Sequence, residues 1–349
     1  MSIETIVVGG GPAGAIAAGR LAERGVGVIL LEQSTPSAAR RSGEYIPKLL
    51  LRELPALDNA IIQDVTGLVV IVPGAPARHF DTPGFIVDRR KFNAVLINHA
   101  RAKGCHVYTQ TRAVIEHEKV VALRNGERFT FAPTICIGAD GSNSRLRKRF
   151  FPETKQYVVT LVREVNLSGR LDASHVFFHP AIFGGYAWLF PMADRACCGV
   201  GVDIIRAADL NRAWQIGFAK FRELGLVESG PVFNQYYNMI YSAGPVERCV
   251  HKNTVLVGDA AGQIHPITGA GIAPAVVCGQ ILAEKCREAL GGAGLVVLED
   301  YEEAWRSLFA GELLRGARRR LDMLENWDRM PFNELISRHW VSFHEYYRS

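Results

Sequence analysis

The sequence predicts an α/β fold with an antiparallel-sheet lobe inserted into it and helices closing its C-terminal end. Three observations lead there. Residues 3–33, "IETIVVGGGPAGAIAAGRLAERGVGVILLEQ", run strand, glycine turn, helix, strand. From Tyr157 to about Val250 the pattern becomes alternating and aromatic, as in "YVVTLVREVNL" and "HVFFHPAIFGGYAWLF", the signature of antiparallel strands. At "NTVLVGDAAG" the α/β pattern returns, and the chain finishes in helical periodicity.

In the opening unit, the apolar, β-branched run Ile3–Val8 is a buried strand, and Gly9, Gly11 and Gly14 follow it with G-x-G-x-x-G spacing. The first glycine allows the tight turn, the second lets backbone N–H groups approach a pyrophosphate, and the third lets helix and strand pack closely. Pro12 and Ala13 open the helix, whose positive end then faces the phosphates. The second strand, Val26–Leu31, ends in Glu32 and Gln33, where an acid accepts from ribose hydroxyls. The unit reads as a dinucleotide site, with FAD and NAD both open at this point.

The rest of the chain follows in order. "RRSGEYIPKLLLREL" reads as a turn into an apolar helix, and short strands surround "TGLVVIV". "FIVDRRKFNAVLINHARAKGCHVYTQTRAV" gives a turn, a helix with Phe92, Val95, Leu96 and His99 on one face, and a strand. A hairpin turns at "RNGE", "TICIGADG" is a buried strand, and one helix near "RAWQIGFAKFREL" interrupts the lobe. These readings assign residues 1–60, 84–156 and 250–290 to the nucleotide domain, 61–83 and 157–249 to the lobe, and 291–349 to the C-terminal helical segment.

Composition narrows the classes. The 349 residues are 48% apolar and 21% charged with a net charge of +5, an ordinary globular balance without the clustered basic side chains of a nucleic-acid binder. The seven cysteines show no C-x-x-C pair or ligand-like spacing, so they read as buried thiols of a reducing compartment, and no metal site is expected. The strand at the third residue and the lack of a span-length apolar run lead to the expectation of a cytoplasmic protein. "RGARRR" near the C-terminus reads as a solvated helix face, with peripheral contact to an anionic membrane or an acidic partner as the alternative.

Two later stretches choose the dinucleotide. "ICIGADGSNSRLRKRF" delivers Asp140 and Gly141 to a turn, then Ser144 and Arg147 to a helix start. In "TVLVGDAAGQIHPITGAGIAPAVVCGQILAE" a strand ends at Gly258-Asp259, and Pro266 and Gly269-x-Gly271 precede a helix opening at Ile272. Asp259 can accept from a ribitol hydroxyl, the small residues admit a flavin, and the helix N-terminus suits its pyrimidine edge. A nicotinamide cofactor on the first unit would need no such distant second helix end, so the ligand reads as FAD.

The segments "GGGPAG" with Glu32, "GADGSNSRLR" and "GDAAGQIHPITGAGI" together resemble FAD-dependent enzymes of the p-hydroxybenzoate hydroxylase superfamily, and within it the geranylgeranyl reductase-like branch. The resemblance implies a Rossmann-like FAD-binding domain of the glutathione-reductase type. It places Gly9, Gly11, Pro12, Ala13, Gly14, Glu32 and Gln33 at the ADP half and Asp140 near the pyrophosphate. Arg89, in "VDRRKFNAVL", matches a family arginine beside the FAD. Gly258 and Asp259 fall at the ribityl chain, and Pro266, Gly269, Gly271 and Ile272 beside the isoalloxazine.

"GGYAWLFPMADRACCGVG" resembles the reductase branch's Y-x-W-x-F-P segment. Alternation sends Tyr186, Trp188 and Phe190 to one face, where Phe183, Tyr236 and Tyr237 are expected to complete an apolar wall for an isoprenoid or aromatic substrate. Three positions depart from the branch: Ser42 stands where many members have Cys, Met192 where a basic residue is usual, and Ala270 where an acid is usual. "GEYIP" is also similar to the Gly-Glu segment of flavin-dependent halogenases and related monooxygenases. Two chemistries therefore compete, with the reductase reading leading: hydride transfer to a double bond, or a monooxygenase using oxygen. A non-catalytic flavoprotein module comes third. Ser42, Glu44 and His265 are the candidate catalytic polar groups. No second Gly-rich unit appears, so NADPH or NADH would bind transiently, or a separate protein would supply electrons.

Overall fold

In the computed structural model, which describes residues 3–35, 43–57, 59–116, 119–151 and 154–348, the opening run forms β1 (Thr5–Val8), buried at all four residues. Burial on both faces is what a parallel strand covered by helices requires. Helix α1 (Pro12–Glu23) follows, and β2 (Val28–Leu31) pairs parallel to β1. Strand β5 (Arg78–Asp88) pairs antiparallel with β3 (Gly43–Pro47) on one side and β4 (Ile61–Ile71) on the other. Helix α2 (Arg89–Ala102) starts at Asp88, whose carboxylate accepts from the N–H groups of Arg90 and Lys91, and leads to β6 (His106–Tyr108). A small sheet of β7 (Arg112–Glu116), β8 (Lys119–Arg124) and β9 (Glu127–Phe131) turns at Asn125-Gly126, both at positive φ. Then β10 (Ile135–Gly138) returns beside β1, followed by α3 (Arg145–Phe150).

The lobe contains β11 (Tyr157–Asn166), β12 (Ala173–Phe177), β13 (Ala187–Met192), β14 (Arg195–Asp203), α4 (Leu210–Glu223) and β15 (Phe233–Tyr241). The chain closes with β16 (Val250–His251), β17 (Thr254–Leu256), α5 (Ile272–Glu288), α6 (Leu298–Glu325) and α7 (Phe332–His339). Two large sheets result, ordered β16-β17-β10-β1-β2-β6 and β15-β11-β14-β13-β12-β4-β5-β3. In the first, the strand order reverses between β1 and β10. Ligands of open α/β sheets bind at the carboxyl ends of strands at such a switch point. The turn is tight there: a Cβ on Gly9, at φ +107°, would sit 2.2 Å from the Ala139 carbonyl oxygen.

Two sequence expectations change. "GEYIP" is a strand at the edge of the lobe sheet, followed by a 3₁₀ turn over Lys48–Glu53, rather than a turn into a helix. An edge strand tolerates Pro47, which has no N–H for a ladder. Because β3 pairs with β5, residues 43–47 and 84–88 join the lobe sheet, although the sequence placed both in the nucleotide unit.

One face of the lobe sheet is sealed by α4, through Trp214 and Phe221 against Leu161, Leu189 and Val200. Part of the other face lies under the C-terminal segment, where Val70, Val176 and Phe178 meet Ile336, Trp340, Phe343 and Tyr346. Helix α6 is tied to the lobe by a buried ion pair, Arg320 Nη2 to Asp203 Oδ2 at 2.7 Å, with Nη1 donating to the Gly184 carbonyl at 2.8 Å. The "RGARRR" arginines are thus mostly engaged internally. Arg315 pairs with Glu312, Arg319 donates to the Tyr346 carbonyl, and Arg320 is buried, leaving Arg318 exposed.

All seven cysteines are buried, and burial pushes the Cys105 and Cys136 thiols up to about 12. Among the described residues no helix is long and apolar enough to cross a membrane. Nor does any group of three or more His, Cys, Asp or Glu among them form a metal site.

Arg320→Met should lower the unfolding free energy by about 3–5 kcal/mol, because it leaves the Asp203 carboxylate buried without its cation. The double variant with Asp203→Asn should recover part of this in denaturant titration. A wild-type midpoint for Arg320→Met would show that the pair does not hold α6.

Candidate active site

At the nucleotide end, Gly11 caps α1 without a side chain, and a Cβ built on it meets nothing within 4 Å. A Cβ on Gly14 would lie 2.0 Å from the Gly9 carbonyl oxygen. The two glycines therefore do different things: Gly14 allows packing, and Gly11 leaves open space over the helix end. Pro12 occupies the first turn. Glu32 is held at this turn, accepting from the N–H of Gly10 at 2.7 Å and of Ser34 at 2.7 Å, with Gln33 exposed beside it. Ala13 is small for a visible reason. A Cβ on Gly258, at φ +67°, would sit 2.9 Å from its methyl, and one on Gly279 would sit 2.7 Å from its carbonyl. The α1 helix, α5 and the loop after β17 meet on this one residue.

The middle of the crevice is built from the loops after β10 and β17. Asp140 caps α3, its Oδ2 accepting from the N–H groups of Arg145 (2.7 Å) and Leu146 (3.3 Å). Its Oδ1 is buried and has no hydrogen-bond partner among the described residues, an acceptor that a ligand hydroxyl would satisfy. Ser142 donates to Asp259 Oδ2 at 2.8 Å. Burial raises the Asp259 carboxyl above its ordinary value of 3.8, and the Ser142 bond, Arg89 and Arg147 oppose that rise. Arg89, at the start of α2, is oriented by Asn93 (Nε to Oδ1, 3.1 Å). Arg147 is fully buried and donates to the carbonyls of Ser142 (2.6 Å), Asp259 (3.2 Å) and Ala260 (3.1 Å).

At the far end, the loop before α5 closes on itself. The Gly269 N–H donates to the His265 carbonyl at 2.9 Å, and the His265 N–H to the Ala270 carbonyl at 3.0 Å. Gly269 has φ +68°, and Gly271 caps α5 without a side chain, with Ile272 half-buried behind it. Pro266 is buried and, with the His265 ring, sits against Gly316 of α6. The His265 Nδ1 accepts from the N–H groups of Ile267 (3.3 Å) and Thr268 (3.2 Å), while Nε2 meets the Tyr346 hydroxyl at 3.3 Å. Both ring nitrogens of His265, one of the candidate catalytic groups, are thus engaged within the protein. Glu44 is half-buried on β3 and acts on Tyr186, whose phenol is pushed up strongly, first by burial and then by Glu44. Tyr186 therefore keeps its proton and donates to the Thr268 carbonyl at 2.6 Å. Ser42 lies outside the described residues.

Tyr186, Trp188 and Phe190 do share one half-buried face, with ring centroids 5.9 Å and 6.3 Å apart along the series. The Trp188 indole lies over Gly199, where a Cβ would come within 2.2 Å of it. Tyr236, Tyr45 and Met192 extend this surface. Phe183 and Tyr237, expected in the wall, are not there. Phe183 precedes the strand and packs on Trp327, and Tyr237 points to the opposite side of β15 from Tyr236, 47% exposed. Sequence reasoning also missed Trp340, which meets the Tyr186 ring at 5.0 Å from 154 positions away, as well as Ser142 and Tyr346. Only Ser142 carried a signal, a hydroxyl directly after the Asp140-Gly141 turn.

Residues 2–48 match the FAD binding domain family. Digeranylgeranylglycerophospholipid reductase 1 of Methanopyrus kandleri is 28% identical over 97% of this chain and 94% of its own length. The digeranylgeranylglycerophospholipid reductase of Methanosarcina acetivorans is 29% identical over 87% and 80%. Among solved structures, a geranylgeranyl bacteriochlorophyll reductase-like protein from Thermoplasma acidophilum matches with a TM-score of 0.80 at 22% identity, covering 97% of this chain and 96% of that one. PqsL of P. aeruginosa, solved with 2-aminobenzoylacetate, matches at 0.71 and 20% identity, covering 96% and 99%. The chain is an FAD-dependent oxidoreductase and shares the fold of these solved flavoproteins. Over nearly its whole length it is similar to the geranylgeranyl reductase-like branch.

Asp259→Asn should weaken FAD binding about 10- to 100-fold by removing a charged acceptor, measured by flavin fluorescence titration. The apoprotein should respond in the opposite sense. An acid whose folded pKa is raised favours folding below its unfolded pKa, and that advantage is lost as pH rises through the folded value. Relative to Asp259→Asn, wild-type apoprotein should therefore lose stability as pH rises from about 4. Parallel pH–stability curves for the two would contradict this reading of Asp259.

Proposed function

We propose that this chain reduces a carbon–carbon double bond of an isoprenoid-like substrate laid along the Tyr186–Trp188–Phe190 face. That aromatic strip carries the reading. It is continuous and half-buried, and its one hydroxyl is already bonded to the loop before α5. An apolar surface with few polar groups suits a long hydrocarbon, and the curated relatives are named as reductases of a geranylgeranylated lipid.

Bound reduced FAD would supply the hydride; the protein contributes binding, orientation and a proton. Gly11 and the α1 end would receive the pyrophosphate, with Glu32 and Gln33 at the ADP ribose. Asp140, Ser142 and Asp259 offer hydrogen bonds along the linking chain, and Arg89 adds positive charge beside it. The Gly269–Ile272 turn would flank the ring system. Glu44, close enough to act on Tyr186, is the group we assign to proton delivery to the substrate carbon, with Ser42 beside it in sequence. NADPH or NADH, bound transiently, or a separate redox protein would reload the flavin. Ser42 in place of a cysteine and Ala270 in place of an acid keep a monooxygenase of the PqsL or halogenase kind as the second reading.

Rapid mixing of reduced enzyme separates the two. Anaerobic reoxidation of the flavin by a geranylgeranyl compound supports reduction. Failure of any isoprenoid to reoxidise it, together with a transient oxygen adduct in air, supports oxygenation. Trp188→Ala should slow the productive reaction about a hundredfold through substrate misplacement while FAD content stays constant. Gly199→Ala, which adds a methyl where the indole lies, should act in the same direction. Unchanged rates in both variants would remove the aromatic face from the site.

A further inference from the structure

The C-terminal turn, residues 344–347, lies 81 positions from the loop before α5, yet its Tyr346 side chain is fully buried against that loop. Hydrogen-bond directions can be assigned throughout. The His265 Nδ1 accepts from two backbone N–H groups, so the ring's proton is on Nε2. Nε2 then donates toward Tyr346 Oη (3.3 Å), with the Glu312 carboxylate at 3.8 Å. Glu312 is held below the usual carboxylate range first by His265, with help from Arg315 and Tyr346. Burial first, and then Glu312, push the Tyr346 phenol up, so it stays a donor. On the other side of the loop, the Thr268 peptide gives its N–H to His265 and takes the Tyr186 hydroxyl on its carbonyl. The ring has room only because α6 carries Gly316, where a Cβ would lie 3.0 Å from Nε2.

We propose that His265 is a positioning residue that couples the C-terminal turn to the flavin loop. Tyr346 and Glu312 orient the imidazole, the imidazole fixes the 267–268 peptides, and the Thr268 carbonyl holds Tyr186 at the head of the aromatic face. The C-terminal segment thereby sets the geometry of a site to which it contributes no reacting group. This depends on the loop contacts and on FAD as ligand, and not on whether the reaction is reduction or oxygenation.

Hydrogen exchange on the FAD-bound protein tests it, read at the 267–270 amides and, as a control, in α1 and β10. His265→Ala should accelerate exchange in the loop about tenfold or more, the equivalent of one lost hydrogen bond. His265→Asn places an oxygen where Nδ1 was, as in an Asx-turn. It should restore most of the protection and the band shape of the bound flavin, while still lacking the link to Tyr346. Tyr346→Phe, which removes only the hydroxyl, should give a smaller acceleration confined to the same amides. Wild-type exchange in His265→Ala or in Tyr346→Phe would overturn the coupling. So would equal acceleration of α1 and β10, which would make these residues general stabilisers.

Discussion

A buried guanidinium holds the site together. Arg147 has no exposed surface, and its acceptors lie on segments that must meet: Ser142 in the loop after β10, Asp259 and Ala260 after β17, and the Tyr157 hydroxyl at the start of β11 in the lobe sheet. The Tyr241 ring, at the end of β15, lies 3.9 Å from it. A charge taken out of water at this depth needs hydrogen-bond acceptors and a counter-charge near it; the two Nη groups have their acceptors, Nε has none among the described residues, and Asp259 is the counter-charge. The sheet register brings the loops to one level, because β10 and β17 pair in parallel with Gly138 opposite Leu256. Arg147 thus converts strand pairing into a fixed crevice and fastens the lobe to it.

A second constraint is closeness. The α1 helix, α5 and the loop after β17 converge on Ala13, with glycines at 258 and 279 where a Cβ would collide. Larger residues would separate the N-terminal ends of α1 and α5. The same device recurs in the lobe, where Gly199 lets the Trp188 indole lie flat on the sheet. Small residues in this chain mark surfaces that must approach one another, and the aromatic ones fill what they leave.

What could be read from the sequence follows the range of the interactions. The opening unit, the Asp140 turn and the Asp259 loop were legible because glycine spacing and strand-to-helix order are local. Alternation placed Tyr186, Trp188 and Phe190 correctly, since a strand has a period of two. The wall was drawn too wide where alternation was not applied: Phe183 stands before Gly184 at φ +67° and outside the strand, and Tyr237, as Tyr236's neighbour, faces the other way. The role of β3 was hidden because "GEYIP" is too short to show its partner. The internal duty of "RGARRR" was hidden because Asp203 and Tyr346 lie far away in sequence. His265 could be picked out as a polar residue in a flavin loop, but its direction depends on Glu312 and Tyr346, which no local pattern connects to it.

Under the proposed function, a dinucleotide runs through the crevice from Glu32 to the turn at Gly269, with Arg147 and Asp259 at its waist. Calorimetric titration of the apoprotein with FAD and, separately, with FMN tests it most directly. One FAD should bind per chain, and FMN, which lacks the ADP half, should bind far more weakly. Equal affinity for the two flavins, or no binding of FAD to folded apoprotein, would contradict the account.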